Sequence, residues 1–196
     1  MGSRYCFTPF VVEMKPRHSN SLLLVWRVAE LEARHLIAPA IEPTHLLLGL
    51  CKVVDLDLTD LVSPHLPGRD ELLEELLRET RRLRTVLRSA GLDARTFRRL
   101  LRKACPERGS GRGDSQGLRR TSAAKRVFAE AEHLAQLGNS EVYPVHLLYA
   151  TLFAEDSRRD AALLEVGVDK KRLMTAAKRE VLASASESTV LKTRLN

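Results

Sequence analysis

Aromatic residues are scarce, at 5% of the 196-residue chain, with a single Trp. A β-sandwich core leans on aromatic and β-branched side chains, and here the apolar content is mostly Leu, Ala and Val, which favours helices. Long apolar runs are also missing. The longest, Leu22-Leu23-Leu24-Val25-Trp26, is far below the ~20 residues that span a bilayer, and no signal-peptide apolar core precedes a small-residue cleavage site. Cys6, Cys51 and Cys105 are odd in number, widely spaced and never in a CxxC. That argues against a disulfide framework and a Cys-based zinc site, and makes a reducing cytoplasm the expected compartment. None of the ten glycines is followed by Lys, so no GxxxxGK[ST] phosphate loop occurs. ATP hydrolysis by that device is excluded for this chain.

What the chain does have is 44% hydrophobic residues, enough for a buried core, and a net charge of +7 from 32 basic and 25 acidic residues. That excess permits an acidic or nucleic-acid partner without demanding one.

Residues 1–16 show no period and read as an extended arm. A helical pattern begins near Ser21, with Leu22, Val25, Trp26, Ala29, Ala33, Leu36 and Ile37 on one face. Ser19, Asn20 or Ser21 can cap its start, and Pro39 ends it. Pro43 opens a short apolar helix through Cys51. Residues 53–69 read as an irregular loop with at most one helical turn. Asp70 opens a long helix to about Ser89, Gly91 closes it, and Asp93 caps the next helix around Phe97, Leu100 and Leu101. Residues 106–118, rich in glycine and without large apolar side chains, read as a flexible linker. The helical pattern resumes at Thr121, and 185–196 read as a tail.

The chain repeats itself. His45-Leu46-Leu47 recurs as His146-Leu147-Leu148 at an offset of 101, with Ile41 matching Val142. One residue of slip then aligns Ala33 with Ala135, Ala29 with Ala131, Trp26 with Phe128 and Val25 with Val127. Gly167-Val168-Asp169 answers Gly91-Leu92-Asp93. Each half reads as a four-helix unit, over 17–105 and 119–184, the first carrying an insertion around 53–75. A unit that small buries little by itself, so the two are expected to pack as one pseudo-twofold, all-α globule of about eight helices.

The doubled motif Ala-x3-Ala-x3-[Gly/Ile]-x3-[Ile/Val]-x3-His-Leu-Leu resembles the amino-terminal repeat (Clp-N) domain of Clp/Hsp100 unfoldases. Ala29, Ala33, His45, Leu46 and Leu47 carry it in the first half, and Ala131, Ala135, Gly138, His146, Leu147 and Leu148 in the second. The resemblance implies a non-catalytic protein- or peptide-binding module, free-standing and without ATPase modules, serving as adaptor, accessory or recognition factor for a Clp-type chaperone–protease. It implies a monomer with no cofactor and no membrane partner. Its partner-binding surface would lie in the groove between the repeats, near Ser19, Ser21, Thr44, Thr121 and Val145. The family usually places Glu directly before the motif His, and in some members that acid helps to bind a phosphorylated arginine. Thr44 and Val145 stand there instead. Phosphoarginine binding is therefore expected to be weak, and glutamates at both places to raise it.

His45 and His146 read as buried imidazoles bonded to backbone carbonyls at helix junctions. Metal ligation lacks companion ligands near either motif, and Cys51, six residues from His45, falls on another helix face, against a Cys–His dyad. Trp26 and Phe128 read as core. The arginines of residues 78–103 read as a solvated face with pairs such as Glu74–Arg78 and Glu79–Arg82; an acidic-protein dock or a nucleic-acid interface is the alternative reading.

Overall fold

Ser19 and Thr121 begin the two halves in the same way. The Ser19 hydroxyl accepts the Leu22 N–H, and the Thr121 hydroxyl accepts the Ala124 N–H, each at 3.2 Å. Each cap satisfies one of the N–H groups that a helix start leaves unpaired. The computed structural model describes residues 17–105 and 118–194, with side chains up to residue 185. The expected arm at 1–16 and the linker at 106–117 lie outside the described residues.

Among the described residues there are nine helices and no strand. They are α1 (Asn20–His35), α2 (Pro43–Val53), α3 (Leu58–Leu61), α4 (Arg69–Ser89), α5 (Ala94–Ala104), α6 (Ser122–Leu137), α7 (Pro144–Phe153), α8 (Ser157–Glu165) and α9 (Lys170–Arg194). The repeat sets α1 against α6, α2 against α7, α4 against α8 and α5 against α9. The helix beyond the expected eight is α3, where Asp57 caps a single turn through the Thr59 N–H. Its Leu58 packs with Val62 and Leu76 in a small cluster of its own, so the insertion is folded rather than irregular. The backbone of α9 stays helical to Arg194, through the stretch read as a tail.

The two halves exchange backbone bonds. His18, just before α1, bridges to Val142, just before α7; Arg120, before α6, bridges to Ile41, before α2. Ser19 N donates to Val142 O (3.2 Å) and Thr121 N to Ile41 O (3.0 Å). The segment leading into each repeat is thus paired with the other repeat.

The alanine spacing has a packing purpose. Ala29 and Ala33 are fully buried where α1 meets α2. Gly49 faces them from α2, and a Cβ there would stand 2.7 Å from the Val25 carbonyl oxygen. Leu46, Leu47, Leu83, Phe97, Leu101, Leu147 and Leu173 fill the shared core around this contact. Gly138 has no positive φ; it is small because a Cβ would stand 2.7 Å from that of Ala185 on α9. The positive-φ residue after α6 is Asn139, matching Ile37 after α1.

Candidate functional site

The two motif histidines take equivalent places, in the first turns of α2 and α7. Each imidazole Nδ1 accepts the backbone N–H of the residue three before it: Glu42 N at 2.9 Å for His45, and Tyr143 N at 2.9 Å for His146. The expected carbonyl partners are therefore replaced by N–H donors, and the ring closes a helix start as a capping glutamate would. An imidazole that accepts through Nδ1 is neutral, carrying its proton on Nε2. Burial lowers both pKa values, His146 to about 4. No group of three or more metal-ligating side chains occurs among the described residues. Cys51 is fully buried, and burial pushes its thiol up to about 12, far from a nucleophilic thiolate.

Two of the five residues expected to bind a partner line one hollow. Thr44, at the start of α2, and Thr121, before α6, share this hollow of about 540 Å³ with Glu42, Glu155, Asp156 and Arg158. The first turns of α2, α6 and α8 converge on it. Asp156 caps α8 by accepting the N–H groups of Arg158 (3.0 Å) and Arg159 (3.1 Å). Its other oxygen accepts the Thr44 hydroxyl at 2.8 Å. Across the hollow, Arg158 Nη2 donates to Glu42 at 2.7 Å. Burial works against the charge on Arg158, but the bond to Glu42 prevails and raises its pKa. The hollow thus offers carboxylates, a partly exposed threonine and helix N-termini, and already holds one guanidinium of its own.

The other three expected residues are elsewhere. Ser19 and Val145 are buried at the pseudo-symmetric position, and Ser21, 1% exposed, has a hydroxyl with no hydrogen-bond partner. None of the three offers its side chain to solvent. Trp26 and Phe128 do meet across the repeats, edge to face at 5.5 Å between ring centroids, but Trp26 is half-buried rather than core. Its open face is covered by Arg120, whose guanidinium carbon lies 5.4 Å from the Trp26 centroid and 5.1 Å from that of Phe128. Arg82 pairs with Glu79 as expected, at 3.3 Å, whereas Arg78 turns to Glu79 rather than Glu74.

Sequence reasoning missed Asp156 and Arg158, because their partners lie more than a hundred residues away. The Asp-Ser-Arg-Arg start of α8 was legible as a cap, but its aim at Thr44 was not.

An all-α domain of two helical repeats that trade their leading segments, with no catalytic constellation at the shared hollow, is the class this architecture defines. Residues 70–165 match the family described as the Clp repeat (R) N-terminal domain. The structure is similar to the Hsp104 N-terminal domain from Candida albicans, at 18% identity and a TM-score of 0.57, covering 82% of this chain and 89% of that one. It is similar to the N-terminal domain of the caseinolytic-protease-associated chaperone ClpD from Arabidopsis thaliana, at 17% identity and TM-score 0.54, covering 84% and 97%. A protein from a malarial protein secretion system also matches, at 18% identity and TM-score 0.58, covering 84% and 95%. No curated protein matches the sequence. Residues 70–165 thus carry the match to that family, and the fold over most of the chain is that of the Clp N-terminal domains.

Proposed function

We propose that this chain is a non-catalytic module that binds a protein segment, as adaptor, accessory or recognition factor for a Clp-type chaperone–protease in the cytoplasm. The observation that carries the reading is the hollow lined by residues of both repeats, with buried Thr44 of one and partly exposed Thr121 of the other, at the α2, α6 and α8 starts. Such a surface meets an extended polypeptide with hydroxyl, carboxylate and backbone N–H groups, and no group of three or more metal-ligating side chains occurs among the described residues. The working unit is the pair 17–105 and 119–184.

The test is nuclear magnetic resonance titration with a permanently unfolded client polypeptide, and separately with the Clp ATPase of the same cell. Shifts centred on Thr44, Thr121, Glu155 and Ser157 support the reading. Titrations with both that leave these signals in place remove it.

A further inference from the structure

A second surface lies apart from the inter-repeat hollow, at the end of α4. The last turn of α4 is flanked by two hollows that carry arginines. One, of about 330 Å³, has a floor of Val54, Leu87 and Leu92 and is lined by Arg84 and Arg88 together with Asp55 and Asp93. The other, of about 290 Å³, runs along Ser89 and is rimmed by Arg172 and Arg179 of α9. Two of these arginines are held in place by backbone carbonyls. Arg84 Nη2 donates to Val54 O, and Arg172 Nη2 donates to Ser89 O at 2.9 Å. Each guanidinium has five N–H donors, so an anchored one still presents donors outward with little further ordering to do. Arg88 and Arg179 are exposed and, among the described residues, in no ion pair.

The two acids in the first hollow already have partners. Asp93, exposed, caps α5 by accepting the Thr96 N–H at 2.8 Å, and Asp55 faces Arg98 at 3.2 Å.

The internal repeat gives a control. Gly91 and Gly167 close equivalent turns, with φ of 78° and 69°, and the backbone bonds Leu92 N–Leu87 O and Val168 N–Leu163 O are both 2.9 Å. Counting back from these glycines, Arg84 and Arg88 correspond to Asp160 and Leu164. The bond of Arg84 to the Val54 carbonyl at the end of α2 is matched by that of Arg159 to the Ala154 carbonyl at the end of α7, whereas the turn folds with leucine at the place of Arg88, so folding does not account for that charge.

We propose that the α4 end, with Arg84, Arg88, Arg172 and Arg179, docks an acidic helix of a partner protein. Arginines at positions 84 and 88 are one helical turn apart, matching carboxylates at i and i+4 of a facing helix, and guanidinium pairs with carboxylate through two parallel bonds. The apolar floor accepts the aliphatic side of such a helix. Single-stranded nucleic acid fits less well, because neither hollow has an aromatic side chain on which a base could stack.

The test uses the full chain and fluorescence anisotropy with a labelled helical peptide carrying glutamates at i, i+4 and i+7, alongside a single-stranded RNA of equal charge. The expected result is peptide binding at low salt that weakens as salt rises. Arg88→Glu with Arg172→Glu lowers affinity on the order of tenfold or more, with unchanged circular dichroism. Should that pair fail to fold, Arg88→Gln with Arg172→Gln removes the charges at similar length and reads a smaller loss. Absence of peptide binding by the unaltered chain, equal binding by the folded variants, or tighter binding of the RNA each overturns the proposal.

Discussion

Thr44 and Asp156, 112 positions apart, are joined by a 2.8 Å hydrogen bond that ties the start of α2 to the start of α8. The hydroxyl standing where the family usually has a glutamate is therefore occupied inside the molecule, and its acceptor is a carboxylate.

This bears on phosphoarginine. A ligand guanidinium needs a free carboxylate at that place, but Asp156 already accepts the Thr44 hydroxyl and caps α8, and Glu42 is taken by Arg158 at 2.7 Å. An unpaired buried donor costs about 1–3 kcal/mol, or roughly 5- to 150-fold in affinity. Calorimetry with free phosphoarginine is expected to show weak or no binding, and a low-micromolar Kd for the unaltered chain would sink the idea. Thr44→Glu with Val145→Glu, the expectation from sequence, does not suffice, because the new carboxylate meets Asp156. Adding Asp156→Asn, which keeps an oxygen to cap α8, is expected to raise affinity.

Acid should loosen the fold through the histidine caps. The His146 pKa is lowered by burial from 6.5 to about 4. Between those values the unfolded chain binds the proton and the folded one does not, so stability is full above about pH 6.5 and falls as pH drops toward 4. At about 1.4 kcal/mol per pKa unit, the loss amounts to about 3 kcal/mol. Urea midpoints at pH 7 and pH 4.5 would read it. His146→Asn, which keeps an acceptor but does not titrate, is expected to flatten the pH dependence, and an unchanged slope in that variant would refute the assignment.

Gly49→Ala reverses the usual sign of that substitution. In a free helix alanine gains about 1 kcal/mol over glycine. Here the new Cβ would stand 2.7 Å from the Val25 carbonyl oxygen and 3.1 Å from the Ala29 Cβ. The α1–α2 contact must open, at a net cost of about 1–3 kcal/mol. A thermal midpoint equal to or above that of the parent chain would show that the contact yields cheaply.

The Glu42–Arg158 pair is half-shielded, with side chains 19% and 35% exposed. A double-mutant cycle with Glu42→Gln and Arg158→Gln is expected to give a coupling of about 0.5–1.5 kcal/mol, because both groups are only partly desolvated. Zero coupling would mean that solvent has already released the pair.

The repeat was legible because its signals are local. Ala29/Ala131, Ala33/Ala135, His45/His146 and Gly91/Gly167 carry it through helix spacing, capping and turn geometry, and each occupies the equivalent place in the fold. α3 is the one helical turn allowed for in 53–69; its place was not legible because one turn capped by Asp57 carries too few residues to show a period. At the candidate site, Thr44 and Thr121 were legible through the repeat. Glu42, Asp156 and Arg158 were not, because a bond spanning 112 or 116 positions leaves no trace in local pattern. Ser19 and Val145 followed from the same symmetry and are as buried as Thr44, but neither lines the hollow.

The exchanged bridges make each half the template for the other's leading segment. Ser19 N finds its acceptor at Val142 and Thr121 N at Ile41, never within its own repeat. Bonds of this kind do not distinguish halves of one chain from halves of two. The geometry that closes a single molecule is therefore also the geometry of a domain-swapped dimer, in which the first half of each copy completes the second half of its neighbour.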